Sequence, residues 1–215
     1  MNHFTAPDHL DFENAAFMPL LPTPDTPLSD HVSDHGFHPL EDLAFLCAGI
    51  HPASPVAVFC VILNLEQLQT RPLFDCETIA TNRRGSTSLG FPGGKQDPGE
   101  THLECLIREY YEECGIRLPL TPFNILRIHH QLEANHHCFT YLILLSAEDF
   151  NAIPPTMHGT EPGISAYKIS LASFLGRTEF IAHNTGVINA LQTLLPLLTA
   201  PQVEPQPSDY ITVCA

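Results

Sequence analysis

Blocks of apolar and polar positions along the chain predict an ordered series of helices and strands. The clearest block is Val56–Leu63, a run of apolar residues rich in β-branched side chains, which is typical of a strand buried on both faces. Residues 101–114 repeat apolar positions every three to four residues and predict a helix. The other predicted elements are a helix at 39–47, an antiparallel partner of the first strand at 72–80, strands at 124–133, 137–146 and 164–170, and a helix at 183–199.

Two segments rich in glycine and proline interrupt this series. Residues 81–99 and residues 155–163 carry the residues that break helices and strands, so we expect a loop in each place. Connections as long as the first are uncommon in compact domains unless they serve a function. The loop at 81–99 is therefore a candidate part of a functional site.

The globular pattern begins at about residue 39. Residues 1–38 contain five prolines, several acidic residues and few aliphatic ones, so we predict an extended or disordered acidic arm. Residues 39–199 form the predicted folded domain, and residues 200–215 form a second proline-rich tail.

The charge of the chain narrows the classes of partner. Twenty-four Asp and Glu against nine Lys and Arg give a net charge of −15, which disfavours a protein that coats nucleic acid or an anionic membrane. Six of the nine basic residues lie within residues 71–120, so a local basic spot for a small anionic ligand is compatible with the composition.

The sequence also carries an expectation about location. There is no run of 18 apolar residues and no basic leader before an apolar stretch, so we expect no membrane span and no secretory signal. The seven cysteines are an odd number without CxxC spacing, which favours reduced thiols. We expect a cytoplasmic protein.

The predicted helix at 101–114 has recognisable ends and two different faces. Thr101 and Glu104 have the spacing of a capping box, and Gly115 suits a left-handed C-terminal cap. At 100° per residue, the residues expected on the face that packs against the sheet are Leu103, Leu106, Ile107, Tyr110 and Cys114.

Three carboxylates lie on a different face of this helix. Glu109, Glu112 and Glu113 fall within one turn, where like charges repel one another and oppose the helix dipole. Helix stability therefore gives no reason for them. A hard divalent cation such as Mg²⁺ or Mn²⁺ does, because it prefers oxygen ligands and often bridges carboxylates to substrate phosphates. A merely solvated acidic face is the alternative for these three residues taken alone.

The residues around the helix extend this pattern. Residues 94–116 follow G-x5-E-x7-R-E-U-x-E-E-x-G-U, where U is a bulky apolar residue. This pattern resembles the signature of the Nudix hydrolase family, and every fixed position is filled. The resemblance implies an α/β fold, a Nudix-type α/β/α sandwich with a mixed sheet, over about residues 50–199. It also implies hydrolysis of a nucleoside diphosphate linked to another group, with Mg²⁺ or Mn²⁺ as cofactor.

The resemblance assigns roles to residues at the matching positions. Glu109, Glu112 and Glu113 are implied to be metal ligands, together with the carbonyl of Gly93. Arg108 is implied to hold the carboxylates in place by pairing with nearby acids. The general base in this family is either a glutamate of the motif or one from a later loop. Glu113 is the candidate within the motif, and Glu161 is the candidate in the loop at 155–163.

The substrate is less closely defined by the sequence. Arg83 and Arg84 lie in the long loop just before Phe91, and we interpret all three as substrate-binding, the arginines through phosphate. Coenzyme A diphosphatases, a Nudix branch, carry an arginine before Phe-Pro-Gly-Gly, which Arg83 and residues 91–94 match. The glycine of that branch is Thr87 here, and its upstream threonine and arginine are missing. Coenzyme A or its acyl esters are thus the first candidates, and nucleoside triphosphates the next.

Two other functions stay open at this point. A non-catalytic Nudix-fold module that binds a nucleotide or a protein would suit the long arm, which could hold a protein partner. A divalent-metal protein that uses the histidines is a third reading, although the histidines are scattered. The sequence leaves open whether the chain forms a homodimer, and whether the doublets at 129–130 and 136–137 contact substrate.

Overall fold

The fold is defined over most of the central part of the chain. A computed structural model describes residues 36–82, 88–118, 120, 124–133, 135–177 and 181–199, with the side chains of residues 181, 182 and 195–199 left out. The predicted tail and the predicted arm up to residue 35 lie outside the described residues.

Within these ranges, strands and helices alternate along the chain. The strands are β1 (Phe37–His38), β2 (Val56–Asn64), β3 (Glu77–Asn82), β4 (Leu89–Gly90), β5 (Gly93–Lys95), β6 (Ile125–Glu133), β7 (His136–Leu145), β8 (Thr156–His158) and β9 (Ser165–Ser170). The helices are α1 (Leu43–Ala48), α2 (Leu65–Thr70), α3 (His102–Cys114), α4 (Ala147–Ala152), α5 (Leu171–Leu175) and α6 (Ile181–Thr199), with short 3₁₀ turns at Leu40–Asp42 and Leu73–Asp75.

The strands form two sheets, and β2 lies in the middle of the larger one. This sheet has the order β1-β6-β7-β2-β5. Strand β2 runs parallel to β7, from Val56 opposite His137 to Asn64 opposite Leu145, and antiparallel to β5. The smaller sheet has the order β4-β3-β9-β8. The parallel pair among antiparallel neighbours makes the larger sheet mixed, as the sequence predicts.

Two apolar cores lie on opposite faces of β2. Val58, Cys60 and Ile62 face a core that includes the buried side of α3. Val61 and Leu63 face a second core, which α5 and α6 cover. Strand residues alternate between faces, so the continuous apolar run of β2 is explained by burial on both sides. The predicted α/β/α sandwich is confirmed.

Most of the predicted elements are present, but the pairing of one of them was predicted wrongly. Strand β3 lies at the end of the segment expected at 72–80, yet it pairs with β4 and β9 and not with β2. The positions on either side of β2 are taken by β5 and β7. The local sequence does not indicate which strands pair, because the paired strands lie far apart along the chain.

The two predicted loops also contain short strands. Strands β4 and β5 lie within residues 81–99, and β8 lies within 155–163. Strand β5 consists of Gly93, Gly94 and Lys95, which have little β-propensity, and it is held by its antiparallel pairing with β2. Strand β1 pairs with β6, so the described domain begins before residue 39, within the last residues of the predicted arm.

Helix α3 has the ends that the sequence predicts. The Thr101 hydroxyl accepts from the Glu104 amide, and the Glu104 carboxylate accepts from the Thr101 amide. Gly115 closes the helix with φ +70°. Leu106, Tyr110 and Cys114 are buried as expected. Ile107 was predicted on the packed face and is exposed, because the sheet covers a narrower stripe of the helix, which also includes Cys105.

Two further features concern the helices and the cysteines. None of the helices in the described ranges combines the length and the apolar character needed to cross a bilayer. Among the described residues, six cysteines are free thiols: Cys47, Cys60, Cys76, Cys105, Cys114 and Cys138.

Replacement of Gly115 should destabilise the fold. A Cβ at this position would overlap the carbonyl oxygen of His158 at the end of β8, and the left-handed φ disfavours any side chain. We expect Gly115→Ala to lose about 1–3 kcal/mol of unfolding free energy, which lowers the melting temperature by roughly 2–4 °C per kcal/mol. Thermal unfolding followed by circular dichroism measures this. Gly49→Ala is the matched control, since Gly49 has open space and a negative φ. Equal melting temperatures for the two variants would contradict the prediction.

Candidate active site

The acidic face of α3 is organised around one guanidinium group. Arg108 Nε and Nη2 donate to the two carboxylate oxygens of Glu100, both at 2.9 Å. Its Nη1 donates to Glu109 at 2.8 Å and to Glu112 at 3.2 Å. Nη2 also donates to the carbonyl of Lys95 in β5, at 3.0 Å. Arg108 therefore ties the loop before the helix, the helix and β5 together.

The pKa values in this cluster follow from these contacts and from burial. The hydrogen bonds from Arg108 lower the pKa of the Glu100 carboxyl. The hydrogen bonds that Arg108 donates to Glu100 raise the pKa of the Arg108 guanidinium above its ordinary value. Burial raises the pKa of Glu109, and this effect outweighs the opposite one of Arg108. Glu109 is thus a more basic carboxylate than Glu100, although both contact the same cation.

The third carboxylate of α3 lies where the two sheets meet. Glu113 Oε2 accepts from the amide of Gly93 in β5 at 2.9 Å and from the hydroxyl of Thr81 in β3 at 3.3 Å. Strand β5 belongs to the larger sheet and β3 to the smaller one. One carboxylate oxygen thus bridges both sheets, and its position depends on β5 and β3 as well as on α3.

Two glycines allow neighbouring segments to approach β5 closely. Gly93 faces β2, and Gly94 faces α3. Gly93 has φ +140°, and a Cβ there would overlap the backbone of Val58 and Phe59. At Gly94 a Cβ would lie 2.5 Å from Oε2 of Glu109. The first conflict is with a buried strand, whereas the second is with the end of a side chain. Gly94 therefore controls where the Glu109 carboxylate can sit.

A cleft of about 360 Å³ extends from this cluster across the larger sheet. At one end it is lined by Glu113, Gly93, Gly94, Lys95 and Thr81. Ala57, Phe59 and Phe91 also line it. At the other end it is lined by Glu133, His136, Cys138, His183 and Asn184. The volume lies within the usual range for small-molecule sites.

The other predicted site residues have separate outcomes. Arg83 and Arg84 lie outside the described residues, so their assignment to phosphate stays a prediction. Phe91 lines the cleft, but it is only 3% exposed and stacks on Phe174 with ring centroids 4.3 Å apart. Glu161 is exposed in the turn before β9, one residue after Thr160, whose amide donates to the Glu112 carbonyl at 2.8 Å.

Several residues at the cleft have no signal in the sequence. Thr81, Glu133 and His183 belong to no motif and reach the cleft only through the pairing of β3, β6 and α6 with their neighbours. His136 is part of a histidine doublet that the sequence singles out, and it lines the cleft. Its neighbour His137 lies on the opposite face of β7, where its Nδ1 is 3.1 Å from Nε2 of His130.

The donor set fits a hard cation in its chemistry, with Glu109 and Glu112 on Arg108 and Glu113 on β5 and β3. Within the described ranges, no three His, Cys, Asp or Glu side chains converge closely enough to hold a metal ion. Glu109 and Glu112 both contact the guanidinium, and Glu113 contacts β5 and β3. Oxygen donors within one helical turn, at one end of a cleft, are the ligands that Mg²⁺ and Mn²⁺ prefer.

The pairing of Glu100 with Arg108 should make stability depend on pH. The folded pKa of Glu100 is lowered, so its stabilisation is present above the unfolded pKa of about 4.3 and is lost as the pH falls through the folded pKa. We expect Glu100→Gln to lose ~1–2 kcal/mol at pH 7 and to converge with the wild type at low pH. Urea unfolding at several pH values tests this.

Asp97→Asn is the control for this measurement. Asp97 Oδ2 lies 3.8 Å from Arg108 Nε, and its side chain is 72% exposed, so its removal should change stability much less. A loss for Glu100→Gln that is the same at every pH would contradict the ion-pair interpretation.

Comparisons with known proteins agree with the pattern in residues 94–116. A family model described as the NUDIX domain matches residues 53–183, which is more than half of the chain. A comparison with curated proteins gives no match.

Two of the solved structures similar to this chain come from a study of bacterial proteins and from a nematode. One belongs to a study of MutT from Aliivibrio salmonicida and Vibrio cholerae, with 21% identity over 65% of this chain and 98% of that chain, at a TM-score of 0.45. Another is the C. elegans Ap4A hydrolase, with 16% identity over 66% of this chain and 98% of that chain, at a TM-score of 0.40. The domain match, together with the filled motif on α3, establishes that this chain belongs to the Nudix family.

Proposed function

We propose that this chain hydrolyses the pyrophosphate bond of a nucleoside diphosphate linked to another group, with Mg²⁺ or Mn²⁺ as cofactor. The observation that carries the proposal is the grouping of the α3 carboxylates, Arg108 and β5 at one end of a cleft. Hydrolysis here means attack of water on one phosphorus and cleavage of the bridging P–O bond. The products are two phosphate-bearing fragments.

The acidic residues have separate roles in this proposal. A bound divalent cation neutralises phosphate charge and lowers the pKa of a coordinated water. Glu109, Glu112 and Glu113 would hold it, with the carbonyl of Gly93. Arg108 orients Glu109 and Glu112 through its hydrogen bonds, and Gly94 leaves the space that the Glu109 carboxylate needs.

Proton transfer is assigned to a carboxylate close to the substrate phosphates. Glu113 is the first candidate for the base, because the Gly93 amide and the Thr81 hydroxyl fix one of its oxygens at the cleft. A base that is already held in position accepts the proton of the attacking water without a prior rearrangement of its side chain. Glu161 is the second candidate, since the turn that carries it is hydrogen-bonded to the end of α3.

For the substrate, coenzyme A or an acyl ester of it is the first candidate, and nucleoside triphosphates follow. The support is the partial motif, Arg83 followed by Phe91-Pro92-Gly93-Gly94. Arg83 and Arg84 are proposed to contact phosphate. Lys95 lines the cleft next to the glycines of β5, and it adds a described cation at the same end.

A non-catalytic module that binds a nucleotide or a protein is the alternative function. Its support is the arm outside the described domain, which could bind a protein partner. The intact set of carboxylates favours catalysis, because a binding module does not need them. We further propose a cytoplasmic location, which the six free thiols of the described residues support. The family resemblance leaves open whether the chain forms a homodimer.

Loss of one proposed metal ligand should abolish turnover. Glu112→Gln removes a charge from the cluster without a change of shape, and we expect kcat/KM to fall at least about 100-fold. Hydrolysis would be measured with Mg²⁺ and with Mn²⁺. The panel holds coenzyme A, acetyl-coenzyme A, ADP-ribose, NADH, dinucleoside polyphosphates, nucleoside triphosphates and capped RNA.

Glu148→Gln is the matched control, because Glu148 is exposed on α4 and does not line the cleft. Full activity of Glu112→Gln would overturn the assignment of the site. No hydrolysis of any substrate by the wild type, with Mn²⁺ bound normally, would favour the binding module.

Gly94→Ala should impair catalysis more than stability. The added methyl group conflicts with the mobile end of the Glu109 side chain, so the carboxylate must move while the backbone can stay. A displacement of this size costs about 10–100-fold in kcat, and the melting temperature should change by less than about 3 °C. Steady-state kinetics and thermal unfolding, with Gly49→Ala as control, measure the two effects. A large loss of stability with unchanged kcat would show that Gly94 matters only for packing.

A further inference from the structure

The end of the cleft far from α3 contains polar atoms without partners. Among the described residues, no donor lies within hydrogen-bond distance of Glu133 Oε2, which is shielded from solvent. The same is true of His183 Nδ1, and His183 is only 4% exposed. Both residues line the cleft. Buried polar atoms nearly always have a hydrogen-bond partner in folded proteins. A bound ligand is therefore the expected partner of these two atoms.

The position of Glu133 relative to the glutamates of α3 can be read from the sheet. Ala57 pairs with Lys95 of β5 on one side and with Cys138 of β7 on the other. Cys138 therefore lies two strand spacings, or about 10 Å, from β5. Burial first, and then the nearby Glu133 carboxylate, raise the pKa of the Cys138 thiol to about 11. The Glu133 carboxylate is thus beside Cys138 and is separated from β5 by strands β2 and β7.

The surroundings of this end exclude a phosphate group. Glu133 is a carboxylate and would repel phosphate. Burial, and then the charge of His129, lower the pKa of His183 to about 4, so its imidazole is neutral near pH 7. Its Nε2 lies 3.3 Å from the Thr140 hydroxyl, and its ring packs on Phe59 with centroids 4.8 Å apart. An uncharged, flat group that carries hydrogen-bond donors is what these residues can accept.

We propose that this compartment, formed by Glu133, His136, Cys138 and His183, binds the base of the nucleotide and selects bases that present an amino group to Glu133. The inference rests on the proposed function and deepens it, because it names the class of nucleotide. The phosphates then extend towards Lys95 and α3, at the other end of the cleft.

The selectivity follows from the chemistry of a carboxylate. Adenine and cytosine present an exocyclic amino group as a donor, whereas hypoxanthine and uracil present a carbonyl oxygen at the same position. The amino group satisfies Glu133 Oε2. A carbonyl oxygen at that position would repel the carboxylate, and the adjacent N–H of hypoxanthine or uracil would reach Glu133 only after a shift of the base, so we expect such analogues to bind more weakly.

Binding of nucleoside monophosphates to the full chain tests the proposal without hydrolysis. AMP is compared with IMP, and CMP with UMP, by ¹⁵N–¹H NMR titration in EDTA. Within each pair the amino group is replaced by a carbonyl oxygen, and the adjacent ring nitrogen changes from an acceptor to an N–H donor. We expect the amino-bearing member to bind at least about tenfold more tightly, as one hydrogen bond to a charged group predicts. Glu133→Gln should reduce the preference to less than about twofold or reverse it, since its amide can donate to the carbonyl oxygen.

The controls separate this role from a structural one. Glu148→Gln removes the same charge outside the cleft and should keep the wild-type preference. Glu133→Asp keeps the carboxylate on a shorter side chain, and it should weaken binding while the amino preference persists. It also provides a test if Glu133→Gln does not fold, because loss of the preference in Glu133→Asp would overturn the proposal.

The outcomes also distinguish this inference from the proposed function. Equal affinities within both pairs for the wild type, or an unchanged preference in Glu133→Gln, would overturn the base compartment. Neither result would bear on hydrolysis. A wild-type protein that prefers AMP to IMP but cleaves none of the substrates in the panel would uphold the compartment and overturn the proposed activity.

Discussion

The arrangement of the site depends on the contacts of the Arg108 guanidinium. Three glutamates within one turn of α3 repel one another, and an isolated helix with this sequence would be destabilised. Arg108 offsets the repulsion through two of its own neighbours, Glu109 and Glu112, and it is held in turn by both oxygens of Glu100. A lysine could not make these contacts, because one ammonium group cannot form a planar fork to a carboxylate and still reach two others.

The same region shows why glycines occur at fixed places within the motif and directly before it. Gly93 admits the backbone of β2, Gly94 admits the Glu109 carboxylate, and Gly115 admits the carbonyl of His158. Each marks a different contact of α3 or β5 with a neighbouring segment. The fixed spacing of these residues therefore reflects the three close approaches at the glycines as well as the positions of the acidic residues.

The sequence predicts those parts of the fold and the site that are encoded locally. The burial of β2, the hairpin of β6 and β7, and both ends of α3 follow from periodicity and from capping residues. Glu109, Glu112 and Arg108 share a helix, so their proximity follows from helical geometry alone. Strand β5 was missed, because its Gly-Gly-Lys sequence forms a strand only when β2 offers a partner. Thr81, Glu133 and His183 were missed for the same reason, since tertiary pairing brings them to the cleft.

The parallel pairing of β2 with β7 has a consequence for how the chain folds. The paired residues, such as Val56 and His137, lie about eighty positions apart. The centre of the sheet therefore cannot close during synthesis until β7 has emerged from the ribosome. Until then the apolar β2 lacks one of its neighbours, and the face that α5 and α6 later cover is exposed, a state that is prone to aggregation. Such non-local topology also slows folding to milliseconds or seconds. Strand β2, in the middle of the larger sheet, is thus the segment whose burial depends most on completion of the chain.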